Sequence, residues 1–163
     1  MRRILGFAAF LLIMIQLSIT CQPQTNDDTR SFPADLRIEA LSGGLHPWEE
    51  NRYVLFTADG RGKYARTIPS KVGAEPLEEN EFSLQNSDLV EIWKAIVVND
   101  FFALDPEYKN EAVAGGWFGS LTVTASGKTH RVTIQNIVMP RVIAIIRVLN
   151  NLTPDDNDLI VGE

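Results

Sequence analysis

Two five-residue runs, Thr57-Ala-Asp-Gly-Arg and Thr124-Ala-Ser-Gly-Lys, constrain this chain more than any other feature. Each sets a glycine behind a short polar residue, the pairing that lets the backbone reach positive φ and close a tight hairpin. β-Rich sequence flanks both. Tyr53 to Thr57 precedes the first turn, and a return strand starts near Gly62, Lys63 and Tyr64. Leu121 to Ala125 and His130 to Ile134 surround the second. The likeness between the runs reads as convergent turn chemistry rather than a duplication, because five residues is a short match.

An amphipathic helix follows each hairpin. In the first, Asn86 or Ser87 is placed to cap, and Asp88 and Glu91 suit the positive N-terminal end. Leu89, Ile92, Trp93, Ile96 and Val97 share its apolar face. Asn99 and Asp100 stop it, and Phe101, Phe102 and Leu104 are expected to tuck back into the core. The second helix opens at Pro140, a residue suited to the first turn, with Val142, Ile145, Ile146 and Leu149 inward. One further strand, Leu36 to Leu41, alternates apolar and polar residues and is ended by Ser42-Gly43-Gly44 as a turn or bulge.

The resulting order, β-ββα-ββα, predicts an α+β fold: a mostly antiparallel sheet with two helices packed on one face. The long stretches after Tyr64, with Pro69, Gly73, Pro76 and the acidic run Glu78 to Glu81, and from Asp105 to Gly119, read as loops. Residues 36–152 are expected to form a single domain. The 143 residues left after removal of the first 20 suffice for one core and are too few for two.

The N-terminal sequence concerns address rather than fold. Arg2 and Arg3 precede a run from Ile4 to Leu17 that is apolar except for Gly6 and Gln16, and a polar stretch begins at Gln22. That is the order of an export signal, assigned to residues 1–20. Cys21, the only cysteine, stands where bacterial lipoproteins are cut and acylated, so it is the expected lipidation site and the link to a membrane at the cell envelope. Residues 21–35, with Pro23 and Pro33, then read as a polar tether. Ser18 and Thr20 depart from the usual lipoprotein context, which leaves ordinary signal-peptidase cleavage open. An uncleaved anchor fits less well, because the apolar run falls short of the ~20 residues that span a bilayer. A lone cysteine forms no internal disulfide, and nothing near Cys21 supplies the base a nucleophile needs.

Charge excludes one class of partner. The net charge of −6 becomes −8 once Arg2 and Arg3 leave, so no basic face is expected for nucleic acid. Motifs for nucleophile elbows, zinc peptidases and phosphate or dinucleotide loops are absent, and neither a catalytic residue nor a cofactor is predicted. His46 lies near Glu49 and Glu50, but a zinc site needs three or four convergent ligands, and a solvated loop accounts for these residues better. His130 alternates along a strand and is expected to face solvent or a neighbouring side chain. Asp155 to Asp158 lack the glycine and terminal glutamate of a calcium loop, and residues 153–163 read as an acidic tail.

Two loops combine glycine with aromatic residues. Gly43, Gly44, Leu45, His46 and Trp48 form a candidate partner-binding loop, and Gly115-Gly116-Trp117-Phe118 has the same character. The competing reading has both tryptophans capping the ends of the core.

The segment order resembles the emfourin family. The likeness rests on a strand followed by Ser42-Gly43-Gly44, a helix ending in Asn99-Asp100-Phe101-Phe102-Ala103-Leu104, the hairpin Gly127-Lys128-Thr129-His130-Arg131-Val132, and Pro140 opening a helix that holds Leu149. It covers about residues 36–152. Emfourins are small protein inhibitors of thermolysin-like metallopeptidases, so the resemblance implies a non-enzymatic inhibitor with Gly43 and Gly44 in its contact loop. The chain differs in its export signal, a hairpin at 53–66 and a longer loop at 67–83. The functional expectation is therefore an exported lipoprotein that binds a protein or peptide, with an envelope structural or assembly factor as the alternative.

Overall fold

Both glycine turns close hairpins, by different means. The structure, a computed structural model, describes residues 31–46, 49–68, 76–154 and 159. At the first turn Gly60 takes φ +82°, the Thr57 hydroxyl donates to Asp59 at 2.5 Å, and Arg61 donates to the other Asp59 oxygen at 2.7 Å. At the second, Ser126 and Gly127 are both left-handed, at φ +53° and +72°, as the favoured two-residue hairpin requires. The remote Asp35 carboxylate accepts both of their backbone N–H groups at 2.7 Å. Those two bonds hold the Asp35 carboxyl below its ordinary value.

These hairpins belong to a seven-stranded sheet. Its strands are β1 (Arg37–Gly44), β2 (Asn51–Thr57), β3 (Arg61–Thr67), β4 (Glu78–Ser83), β5 (Glu107–Lys109), β6 (Trp117–Ala125) and β7 (Lys128–Gln135). The spatial order is β4-β3-β2-β1-β6-β7-β5. Neighbours run antiparallel except β5, which pairs with β7 in parallel. Helix α1 (Asn86–Val98) precedes a 3-10 turn at Phe101–Ala103, and α2 (Pro140–Leu152) follows β7. The α+β class and the mostly antiparallel sheet are those expected.

Register places side chains by parity. One face of the sheet carries Ile38, Ala40, Val54, Phe56, Leu121, Val123, Val132 and Ile134, all buried. They form one cluster with Leu89, Ile92 and Ile96 of α1 and Val142, Ile145, Ile146 and Leu149 of α2. Along this face two adjacent rows differ. Tyr64, Val54, Ala40, Leu121 and Val132 are paired in register across the middle. Two residues along, Glu78, Arg66, Arg52, Ser42 and Gly119 are paired in the same way.

Several boundaries differ from the expectation. The acidic run from Glu78 is strand β4, held by backbone pairing to β3 and by Phe82, which meets Phe56 edge-on at 5.8 Å between ring centres. The stretch after Asp105 contains β5 and the start of β6 at Trp117. Strand β1 does not stop at Leu41, because Ser42, Gly43 and Gly44 stay paired with both β2 and β6 or with β6 alone. The N-cap of α1 is Gln85, whose N–H donates to Asp88 at 2.8 Å, rather than Asn86 or Ser87. Trp93 packs half-buried against the core, whereas Val97 is 55% exposed and lies off the apolar face. Phe101 and Leu104 are buried, but Phe102 remains at the surface. The packed domain also reaches beyond 36–152. Phe32 is buried, and Leu159 is buried with its backbone bonded to the Asn150 amide. Asp155 to Asp158 lie outside the described residues.

Candidate functional site

The polar row ends in a cleft. On β1, Gly44 faces Trp117 of β6 across the register, and just beyond them the Leu45 N–H donates to the Gly116 carbonyl at 2.9 Å. The two glycine-aromatic segments singled out in the sequence are therefore neighbours. Between them and Glu49, Glu50 and Arg52 opens a cleft of about 400 Å³. That volume falls within the range of sites for small ligands or single side chains.

Each wall is fixed by identifiable contacts. Asn136, left-handed at φ +53°, accepts from the Trp117 N–H at 2.9 Å and donates to the Gly115 and Val113 carbonyls at 2.7 and 3.3 Å. It thus splints the loop that carries Trp117. Gly116 sits at φ +92°, and a Cβ there would collide with the Asn136 amide, so glycine is required twice over. On the other wall, a Cβ on Gly43 would strike the Asn51 amide and one on Gly44 would strike Glu49. These two glycines let neighbouring side chains lie flat on the strand. Asn51 Oδ1 is buried there with no hydrogen-bond partner among the described residues.

Two of the lining residues, Glu50 and Arg52, belong to a charged network. Arg66 forks onto Glu50 through Nε at 2.8 Å and Nη2 at 2.7 Å, and Arg52 reaches Glu50 at 3.1 Å. Arg66 also donates to Glu78 at 3.3 Å, and Glu78 accepts from the Tyr64 hydroxyl at 3.0 Å and the Asn80 amide at 3.1 Å. The Arg66 hydrogen bonds hold the Glu50 carboxyl below its ordinary value, although partial burial works the other way. The same bonds to Glu50 push Arg66 up. A carboxylate tuned in this direction stays ionised at neutral pH, with both oxygens engaged. General acid–base catalysis asks for the reverse, a group poised near the operating pH.

The structure brings Gly43 and Gly44 into the cleft and leaves Leu45 and His46 on its exposed rim. His46 and Glu49 are bonded to each other, the His46 N–H donating to the Glu49 carboxylate at 3.3 Å and the Glu49 N–H donating back to the His46 carbonyl at 3.0 Å. Trp48 and Cys21 lie outside the described residues. His130 is half-buried on β7, its Nε2 3.0 Å from the Leu104 carbonyl and its ring edge-on to Phe101. Among the described residues, no three of His, Cys, Asp and Glu converge as a metal site would need, and no helix is long and apolar enough to cross a membrane. Sequence reasoning missed Arg52, Arg66 and Asn136. Nothing local marks them, because their roles come from register and from a contact 19 residues away in the chain. No family model matches the chain, and comparison with the curated proteins finds no matching relative.

Proposed function

We infer that this is a non-enzymatic module that binds a protein or peptide at the cleft between Gly44 and Trp117. The carrying observation is the meeting of the two glycine-aromatic segments beside a hydrogen-bonded charged network. Such a network is rigid and already desolvated in part, so a partner docking there has little ordering cost to meet. Peptidase inhibition is the specific version that the emfourin resemblance implies, and export with lipid attachment at Cys21 sets the address. Titrating the mature protein into a thermolysin-like metallopeptidase tests the inhibitor version. Inhibition at micromolar concentration that is lost on Gly44→Ala supports it, and full peptidase activity throughout removes it. Mass spectrometry of the mature N-terminus tests the anchor, which an unmodified Cys21 overturns.

One observation favours a second reading, an envelope assembly factor. The opposite face of the sheet carries Leu41, Tyr53 and Leu55, large apolar side chains that stay half-buried and outside the buried core cluster. A partner that survives Gly44→Ala but is lost on Tyr53→Ala belongs to that face.

A further inference from the structure

Among the charged groups around the cleft, Glu49 stands apart. Glu50 is saturated by Arg66 and Arg52, and Glu78 by Arg66, Tyr64 and Asn80. The half-buried Glu49 carboxylate receives a single bond among the described residues, the 3.3 Å bond from the His46 backbone N–H, and no ion pair. It is not pointing at random. Its side chain lies over Gly44, where any Cβ would displace it, and Gly44 is the register partner of Trp117. An unneutralised carboxylate and an indole ring therefore line one cleft.

That pairing selects by charge. A cation gains from the carboxylate and from the negative face of the indole together, and the combination is stronger where water is partly excluded. An anion gains from neither. Arg52 also lines the cleft, where its Nε donates to Glu50 at 3.1 Å. The chain as a whole carries −6, which draws cations to this surface rather than anions.

We propose that the cleft seats a cationic side chain, lysine or arginine, from an extended segment of the partner, with Glu49 as its counter-ion and the Trp117 ring as the surface it lies against. The inference rests on reading this cleft as the partner site and names the chemistry that the site recognises.

The test is an NMR titration of the ¹⁵N-labelled full mature chain with three probes: the blocked tripeptide Gly-Lys-Gly, its norleucine counterpart and butylammonium. The lysine peptide is expected to move the Trp117 indole N–H and the Gly44 and Gly116 amides, with a dissociation constant in the millimolar range. Added salt should weaken it. The norleucine peptide should bind roughly three- to tenfold more weakly, the span of a cation–π contact with a partly exposed ion pair. Glu49→Gln should bring the lysine peptide down to the norleucine level, and Gly44→Ala, which displaces the Glu49 side chain, should do the same from a different position. Equal binding of the lysine and norleucine peptides overturns the proposal while leaving the cleft a binding site. Butylammonium, which reproduces the lysine side chain, should bind the same resonances and weaken on Glu49→Gln, and binding that Glu49→Gln leaves unchanged also overturns the proposal. If no probe moves the cleft resonances, the cationic anchor falls, and the partner-site reading is judged separately by the peptidase titration with Gly44→Ala.

Discussion

The row Tyr64, Val54, Ala40, Leu121, Val132 and the row Glu78, Arg66, Arg52, Ser42, Gly119 share one sheet face, two residues apart along each strand. Their backbone pairing is alike, yet their chemistry is opposite. In the middle row every residue is buried, and the inward residues of α1 and α2 complete the same cluster. In the outer row Arg52 and Arg66 keep 25% and 32% of their side-chain surface in water. Apolar residues there would leave an exposed patch, so the sheet ends in charges that satisfy one another. The comparison separates two jobs on one surface. The middle row holds the fold, and the outer row contributes Arg52 to the cleft beside Gly44 and Trp117.

Substitutions should separate these jobs, and the largest effect belongs to the middle of the face. Phe56→Ala removes a fully buried ring that also meets Phe82 edge-on, and should cost about 3–5 kcal/mol in denaturant unfolding. A loss below about 1 kcal/mol would show that this part of the core is not close-packed. Asn136→Ala comes next. It removes three bonds to the Trp117 loop and leaves alanine at a left-handed position, which together should cost ~2–3 kcal/mol. Hydrogen exchange should localise the damage to residues 113–117, and uniform loosening would instead make Asn136 a core residue in effect. Glu50→Gln should cost less, ~1–2 kcal/mol, since it weakens charge-assisted bonds at a site still reached by water.

The Glu50 effect carries a pH signature. Its folded pKa lies below the ordinary 4.5, so its contribution is complete above that value and is lost as pH falls through the folded value. Asp35, lowered from 3.8, behaves in the same sense at the far hairpin. The denaturant-unfolding stabilities of Glu50→Gln and Asp35→Asn should therefore approach that of the parent as pH falls below the ordinary values of these carboxyls and through their lowered folded values. A gap between variants and parent that stays constant over the whole acid range in which the parent remains folded would contradict this. The smallest expected change in stability is Glu49→Gln, within ~0.5 kcal/mol because its carboxylate supports little of the structure. Its effect should appear in binding alone, which is the sharpest form of the contrast between the rows.

What was legible in the sequence was local. The hairpin turns announce themselves because glycine and a short polar residue must meet the left-handed region, and both do so near the predicted positions. The inward residues of α2 follow from period alone. Strand β4 was hidden because its Glu-Glu-Asn-Glu core shows no apolar alternation, and only its partner β3 makes it a strand. Strand β5 is three residues long and pairs in parallel with a distant neighbour, a contact with no sequence signature. The glycines at 43 and 44 looked like a break, but they are strand positions emptied for Asn51 and Glu49. The cleft was half legible: both of its glycine-aromatic segments were visible, and their adjacency was not.

Strand β1 has a mechanical consequence. It starts beside the residues that lead back toward Cys21 and ends at Gly44 in the cleft, about 24 Å away at ~3.4 Å per residue. A pull between a membrane tether and a cleft-bound partner would run along this strand. Hydrogen bonds to β2 and β6 flank it on both sides, so such a load would have to shear two ladders at once instead of peeling one bond after another. At the N-terminal end, Phe32 is packed into the core and Asp35 is clamped to the β6–β7 turn, ahead of the strand itself. Strand β1 therefore resists a pull along its own length through both flanking ladders and through the two contacts that precede it.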